Sequence, residues 1–168
     1  IGTTRAVDPE LLRAQLDAAL PTGLDVLDVV PAGPGGLAER LQASDWLLEF
    51  PEVTLAELTA AVTALMEQPE IRVSRVFKTG PRELDVKAAV ECAVPGQEQG
   101  CAIIRLVVRH TTPAVRPDDV LTALRESIGF APARPPRVTR LAQGPWDRAT
   151  GQVADPLAPD KDAAASSR

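Results

Sequence analysis

Aromatic residues are scarce in this 168-residue chain, which has two Trp, three Phe and no Tyr. Nucleic-acid bases are commonly held by stacking on aromatic side chains, so the composition does not favour a site that depends on stacked rings. Leu, Val, Ile and Ala must fill the core instead. A hydrophobic content of 45% over this length is enough to form one.

Cysteine and histidine are also rare, with Cys92, Cys101 and the single His110 spaced nine residues apart. This spacing fits no zinc finger, knuckle or ribbon, so we predict no metal site. A hairpin centred on residues 96–97 would place the two cysteines opposite each other. That leaves two interpretations open, a redox pair or two reduced thiols in a cytoplasmic protein.

Several functional motifs are absent as well. The glycine-rich run at 31–36 lacks the trailing Lys of a P-loop, and the pattern GxGxxG does not occur, so no nucleotide or other cofactor is predicted. His110 could act as a base, but no nucleophile-elbow pattern accompanies it, and we assign no catalytic residue. No apolar run reaches the roughly 18 residues of a membrane span, and we expect a cytoplasmic protein without membrane contact.

Three segments share one helical pattern, in which a valine precedes a helix start and apolar residues follow at intervals of four. Such spacing predicts helices with one apolar stripe at 9–20, 55–67 and 117–128, the last ended by Gly129. Capping residues mark each start, with Pro at the first position of the first and third helices. The pattern indicates either internal duplication or the spacing common to amphipathic helices; its members are Val7, Leu12, Leu16 and Leu20, then Val53, Leu58, Val62 and Met66, then Val115, Val120, Leu124 and Ile128.

Alternating apolar residues predict strands between and after these helices. Their order predicts the α+β class, with a ferredoxin-like plait (βαββαβ) over 44–142. An incomplete β-α-β unit over 1–30 would precede it, as the C-terminal part of a truncated plait-like unit. A linker over 31–43 would join the two. A loop and disordered tail over 143–168 would follow it, with Trp146 anchored on the domain. The predicted strands are 24–30, 45–50, 71–77, a run around 84–94, 101–108 and 136–142.

Charge is distributed unevenly. Residues 1–70 hold three basic and twelve acidic residues, whereas 71–140 hold twelve basic and seven acidic ones. The basic half either forms part of an ordinary solvated surface, docks on the acidic half or faces a phosphate-rich partner. The candidate basic or partner-binding face consists of Arg72, Arg75, Lys78, Arg82, Asp85, Lys87, Arg105 and Arg109. Within it, Asp85 is interpreted either as a solvated strand residue or as the fixed partner of a nearby Arg.

Three stretches carry a resemblance to a known family: VFKTGPRELDVKAAV, with its Arg-Glu-Leu-Asp-Val-Lys box, VDPELLRAQLDAALPTGLDVLDV, and DWLLEF. Over residues 1–142 the chain resembles the C-terminal portion of the bacterial radical-SAM-linked protein family. The resemblance implies a gene beside, or fused to, a radical SAM protein, and no established biochemical role. The His-rich and Pro-rich segment that family members carry before the first helix is not in this chain.

Two functions follow as hypotheses. The resemblance implies a non-catalytic accessory or interaction domain that works with a radical SAM protein, since two cysteines cannot supply the three thiolates of a radical SAM cluster. The excess of basic residues over 71–140 favours an RNA-binding module instead, with tRNA as one kind of target, although aromatic platforms are missing. The sequence predicts no oligomeric state.

Overall fold

The computed structural model describes residues 1–166, and the chain divides into two compact units. The larger unit is Ala38–Pro156, and the smaller unit joins Ile1–Leu37 to the segment that begins at Leu157. Each buried apolar side chain among residues 1–166 lies between Ala43 and Leu124, so the larger unit holds the hydrophobic core.

The main sheet has four strands, β1 (Ala43–Phe50), β4 (Val90–Glu98), β5 (Cys101–Arg109) and β6 (Arg137–Gly144), in the order β4-β5-β1-β6. Every neighbouring pair is antiparallel. Helix α3 (Leu55–Glu67) follows β1 and helix α5 (Pro117–Ser127) follows β5. This order and these crossovers confirm the α+β class and the ferredoxin-like arrangement.

The core forms where the two helices cover one face of the sheet. Alternate residues of β1 and β5, including Leu48, Phe50 and Leu106, are fully buried there. They pack in one cluster with Leu58 of α3 and Leu124 of α5. The alternating apolar residues of the strands therefore pack against the apolar stripes of the helices, as the sequence predicts.

A hairpin of β2 (Arg72–Phe77) and β3 (Gly80–Asp85) is inserted between α3 and β4 and pairs only within itself among the described residues. Val73 and Leu84, which face each other across it, are buried in the core. The predicted continuous strand around 84–94 is wrong. Helix α4 (Val86–Ala89) interrupts it, because the Asp85 carboxylate accepts a hydrogen bond from the Ala88 N–H and caps a helical turn.

The turn between β4 and β5 lies at Gln99 and Gly100, not at 96–97. Both residues have positive φ, 49° and 80°, the conformation that a two-residue hairpin turn requires. In this register Cys92 faces Val107 and Cys101 faces Glu98. The predicted approach of the two cysteines is therefore wrong, and both are free thiols.

Two irregularities interrupt the outer strands of the main sheet. The pairing of β4 with β5 shifts between Val90 and Cys92, so Glu91 is the extra residue of a bulge. The pairing of β1 with β6 shifts between Asp45 and Trp46, where β6 carries one residue more than β1. Pro95 lies within β4, on the outer edge of the sheet in the described residues.

The segment after β6 is more ordered than the loop that the sequence predicts for 143–168. Strands β7 (Trp146–Asp147) and β8 (Gln152–Val153) form a short hairpin, and helix α6 (Ala158–Ser166) follows. A side chain at Gly144 would collide with the Ala154 carbonyl, so glycine allows this hairpin to fold back closely. Trp146 is half-buried and its backbone N–H donates to Gln42, as anchoring predicts. The predicted disorder of the last eight or so residues is wrong as far as Ser166, because α6 continues to that residue. The same prediction for 167–168 lies outside the described residues.

The smaller unit contains helix α1 (Pro9–Ala19), followed by an extended segment, and helix α2 (Leu37–Arg40) begins at its boundary. Asp8 caps α1 and Pro9 occupies its first position, as predicted. The predicted strand at 24–30 is not formed, because the described part of this unit offers no strand to pair with it. Polar contacts hold the segment instead, including an ion pair of 2.5 Å between Asp28 and Lys161.

Candidate functional site

The eight residues of the predicted basic face lie on two different parts of the fold. Six belong to the β2–β3 hairpin with its turn and to α4, and Arg105 and Arg109 belong to β5. No helix of the described residues is long and apolar enough to span a membrane. No cluster of three metal-ligating side chains occurs within residues 1–166.

Arg75 is occupied by contacts inside the protein. Its Nη1 lies 2.5 Å from an Asp119 carboxylate oxygen, and its Nη2 donates to the Ala114 carbonyl oxygen at 2.8 Å. The guanidinium also lies 4.6 Å from the ring centre of Phe77. Asp119 is buried and accepts a second hydrogen bond from the Arg116 backbone N–H. Arg75 therefore joins the hairpin to the start of α5 and is not free for a partner.

The other hairpin residues divide into engaged and free groups. Arg72 pairs with Glu70, which raises the pKa of its guanidinium, and Arg82 donates to the Thr79 hydroxyl. Asp85 faces Arg72 across the hairpin and caps α4, so its carboxylate acts as a helix cap rather than as the ion-pair partner of an Arg. Lys78 and Lys87 form no ion pair or hydrogen bond within the described chain, which makes them the free cations of this group.

The arginines of β5 lie on the sheet face opposite the helices, where charges alternate in sign. Arg105 contacts Asp45 at 2.6 Å, and Arg109 contacts Glu91 at 3.0 Å. Arg137 of β6 forms two hydrogen bonds with Glu49, which lower the pKa of that carboxyl group. These neutralised pairs do not make a basic surface.

Cys92 lies on this same face of the sheet. Burial is the main cause that raises the pKa of its thiol. A raised pKa lowers the thiolate fraction at neutral pH, and the thiolate is the reactive form. Cys92 therefore has the environment of a structural thiol.

A serine near the start of β1 and the single histidine just beyond β5 lie side by side. The Ser44 hydroxyl of β1 lies 2.8 Å from His110 Nε2, and His110 Nδ1 lies 2.6 Å from the Leu41 carbonyl oxygen. A carbonyl only accepts, so Nδ1 carries the proton and, in the neutral ring, Nε2 accepts from Ser44. The register that pairs Ser44 with Val108 places His110 beside it, just beyond the end of β5.

This pair resembles a nucleophile beside its base, but its surroundings differ from those of a catalytic triad. The orienting group is the neutral Leu41 carbonyl, which cannot stabilise an imidazolium as a carboxylate does. Ser44 is only 3% exposed. The arrangement therefore favours a role in joining β1 to the end of β5 and in shaping the cavity next to it.

That cavity lies between the start of α5 and strands β1, β5 and β6, with a volume of about 470 Å³. Trp46, Val108 and Val138 contribute to its apolar walls, and Ser44 and His110 contribute polar groups. Arg116 and Arg140 also line it, and the Arg140 guanidinium lies 5.5 Å from the ring centre of Trp46. The sequence identifies His110 as unusual, but it contains no signal for the partnership with Ser44 or for this cavity.

The model of a family of uncharacterized proteins conserved in bacteria (DUF2344) matches residues 1–117. The chain belongs to this family. The matched segment of the chain runs through β5 and ends at Pro117, the first residue of α5. It thus includes Ser44, His110 and Arg116, whereas Arg140 lies beyond it. Neither a curated protein nor a solved structure matches the chain.

Proposed function

We propose that this chain is a non-catalytic accessory domain that binds a radical SAM protein. The support is the position of the Arg-Glu-Leu-Asp-Val-Lys box, which forms most of β3 and the start of α4 on a hairpin outside the main sheet. Val76 on this hairpin is 81% exposed, and Lys78 and Lys87 lack ion-pair partners among the described residues. An exposed apolar side chain with free cations nearby suits a protein partner. We also propose that the complex is cytoplasmic, where both thiols stay reduced.

The test is co-purification with the radical SAM protein encoded nearest to the gene, under anaerobic and reducing conditions. We expect a stable complex that Val76→Glu weakens, because the substitution places a charge in the proposed interface. Val94→Glu is the matched control, since Val94 is 55% exposed on β4. Failure of the wild-type proteins to associate, or equal weakening by both variants, would contradict the proposal.

A second candidate function is RNA binding, with tRNA as the first target to test. The observation that favours it is the pair of free cations, Lys78 and Lys87, on the hairpin and α4. Their contacts with phosphates would make binding depend on salt concentration. The engaged arginines contribute less to such a surface than the sequence indicates.

The measurement is the salt dependence of tRNA affinity. Lys78→Ala combined with Lys87→Ala would remove two phosphate contacts and reduce the slope of log K against log salt concentration by about 1.4 to 1.8. Arg5→Ala combined with Arg13→Ala removes the same charge from the smaller unit and serves as the control. Absence of binding at low salt, or equal slopes for the two double variants, would exclude this function for the hairpin.

A further inference from the structure

The cavity at the start of α5 has the size and walls of a small-molecule site. Its volume of about 470 Å³ lies within the range typical of ligand pockets. Trp46 supplies a flat aromatic wall, and Val108, Val115 and Val138 supply aliphatic surface. A ring or a short aliphatic group would therefore be well accommodated.

Two arginines line this cavity without forming an ion pair within the described residues, whereas most of the other described arginines form one. Arg116 and Arg140 form no ion pair with a carboxylate within residues 1–166, whereas Arg105 and Arg137 each contact one. Arg116 precedes α5 and Arg140 lies in β6, so distant parts of the sequence supply the two cations. Asp118 is the single acidic residue on the lining, which leaves it with a net positive charge.

The remaining polar side chains of the cavity already satisfy each other. The Ser44 hydroxyl bonds to His110 Nε2, and the other ring nitrogen bonds to Leu41. In the neutral form of the imidazole, neither group offers its proton to a ligand. Recognition of a charged ligand therefore falls to the two arginines, of which Arg140 is placed over the Trp46 ring.

We propose that this cavity binds a small organic phosphate, with the phosphate between Arg116 and Arg140 and the organic group against Trp46. A phosphate offers enough oxygen atoms to receive a guanidinium from each of two sides, whereas one guanidinium fork occupies both oxygens of a carboxylate. The site is separate from the hairpin surface and from the proposed association with a radical SAM protein.

The first test is an NMR titration of the full chain with phenyl phosphate, and with inorganic phosphate and benzoate as comparison probes. We expect phenyl phosphate to bind most tightly, and its shifts to centre on the Trp46 indole N–H and on the backbone amides of residues 114–116, 118 and 138–140. Shifts centred on the hairpin, no saturable binding at millimolar concentration, or equal affinity for benzoate would overturn the proposal. Because this test uses the unsubstituted protein, it does not depend on the folding of a variant.

Two double variants with equal loss of charge provide the second test. Arg116→Ala combined with Arg140→Ala should weaken phenyl phosphate binding about tenfold or more, since it removes both charge-assisted contacts with the phosphate. Lys78→Ala combined with Lys87→Ala should change the affinity less than about twofold. Equal loss of affinity in the two double variants would show that overall charge attracts the ligand. This result would overturn the proposed phosphate site. Arg140→Gln alone, which should weaken binding several-fold, replaces the first pair if that pair does not fold.

Discussion

Individual side chains decide which of the basic residues can serve a partner. Arg75 and Lys78 are three residues apart in the sequence, but they differ in their surroundings. Arg75 contacts Asp119 and the Ala114 carbonyl, whereas Lys78 has no ion pair within the described residues. A charged residue held by internal contacts contributes to stability, and a free one contributes to the surface potential.

Arg75→Met is predicted to destabilise the protein by about 2 kcal/mol, because it leaves the buried Asp119 carboxylate without its guanidinium partner. The solvent that reaches the Arg75 side chain keeps the value below that of a fully buried pair. Arg82→Met, in the same hairpin, is the control and should change stability by about 0.5 kcal/mol or less. Urea denaturation measures both. Equal losses for the two variants would contradict the assigned role of Arg75.

Thr54 and Glu57 form a reciprocal cap at the start of α3. Thr54→Ala should lower the free energy of unfolding by about 1 kcal/mol, since it removes the acceptor for a helix N–H. Thr54→Ser retains the hydroxyl and should retain most of the stability. Thermal melts compare the stabilities of the two variants. Equal melting temperatures would show that the Thr54 hydroxyl does not stabilise the helix start.

The cap formed by Thr54 and Glu57 also predicts how the stability of the protein changes at acid pH. The side-chain and backbone hydrogen bonds from Thr54 lower the pKa of Glu57 below its ordinary 4.5. Because the folded-state pKa is lowered, the unfolded chain binds more protons than the folded chain at acid pH. The stabilisation by ionised Glu57 is therefore complete above about pH 4.5. It is lost as the pH falls through the folded-state pKa. Glu57→Gln should therefore lose less stability than wild type between about pH 6 and pH 3. An unchanged pH dependence in urea melts would refute this assignment.

Elements with local start signals could be predicted from the sequence. The capping residues and four-residue spacing gave helix limits within one residue of α1, α3 and α5, and Gly129 has the expected positive φ of 79°. The missed elements depend on other parts of the chain. A strand at 24–30 needs a partner, and the turn at Gln99 depends on a left-handed conformation that glutamine rarely adopts.

The candidate sites could be predicted only in part, for the same reason. His110 is visible in the sequence, but Ser44 is 66 residues away and reaches it only through the antiparallel register of β1 and β5. The basic face could not be separated into free and engaged residues, because Asp119, the partner of Arg75, belongs to a different element. The family resemblance gave the Arg-Glu-Leu-Asp-Val-Lys box, and the structure adds its division between β3 and α4.

The β4–β5 hairpin determines the behaviour of the two thiols. Six residue positions separate Cys92 from the level of Cys101 along the strands, or about 20 Å at the usual rise. Because a disulfide requires Cα atoms within about 7 Å, we expect two free thiols under non-reducing conditions. Cys92 should react slowly with a thiol reagent at neutral pH, since burial raises its pKa. Thiol titration of the native and the unfolded protein measures the number of free thiols and the reaction rate of Cys92, with Cys92→Ser as the control. Fewer than two thiols after unfolding would contradict the register of β4 and β5.

At the scale of the whole molecule, stability is concentrated in one unit. All buried apolar side chains among residues 1–166 lie between Ala43 and Leu124. We therefore expect residues 38–156 expressed alone to unfold cooperatively, with a melting temperature close to that of the full chain. Calorimetry and near-ultraviolet circular dichroism test this prediction. A fragment that lacks a cooperative transition would show that the smaller unit is required for folding.

The bulges and Pro95 of the outer strands have a consequence for behaviour at high concentration. In the described fold β4 and β6 end the main sheet, and an uninterrupted outer strand can recruit a strand from another molecule. Pro95 has no N–H to donate, and the extra residues at Glu91 and in β6 break the regular spacing of donors and acceptors. Both edges are thereby made poor templates for fibril growth, which protects a chain whose central strand β5 is rich in valine and isoleucine.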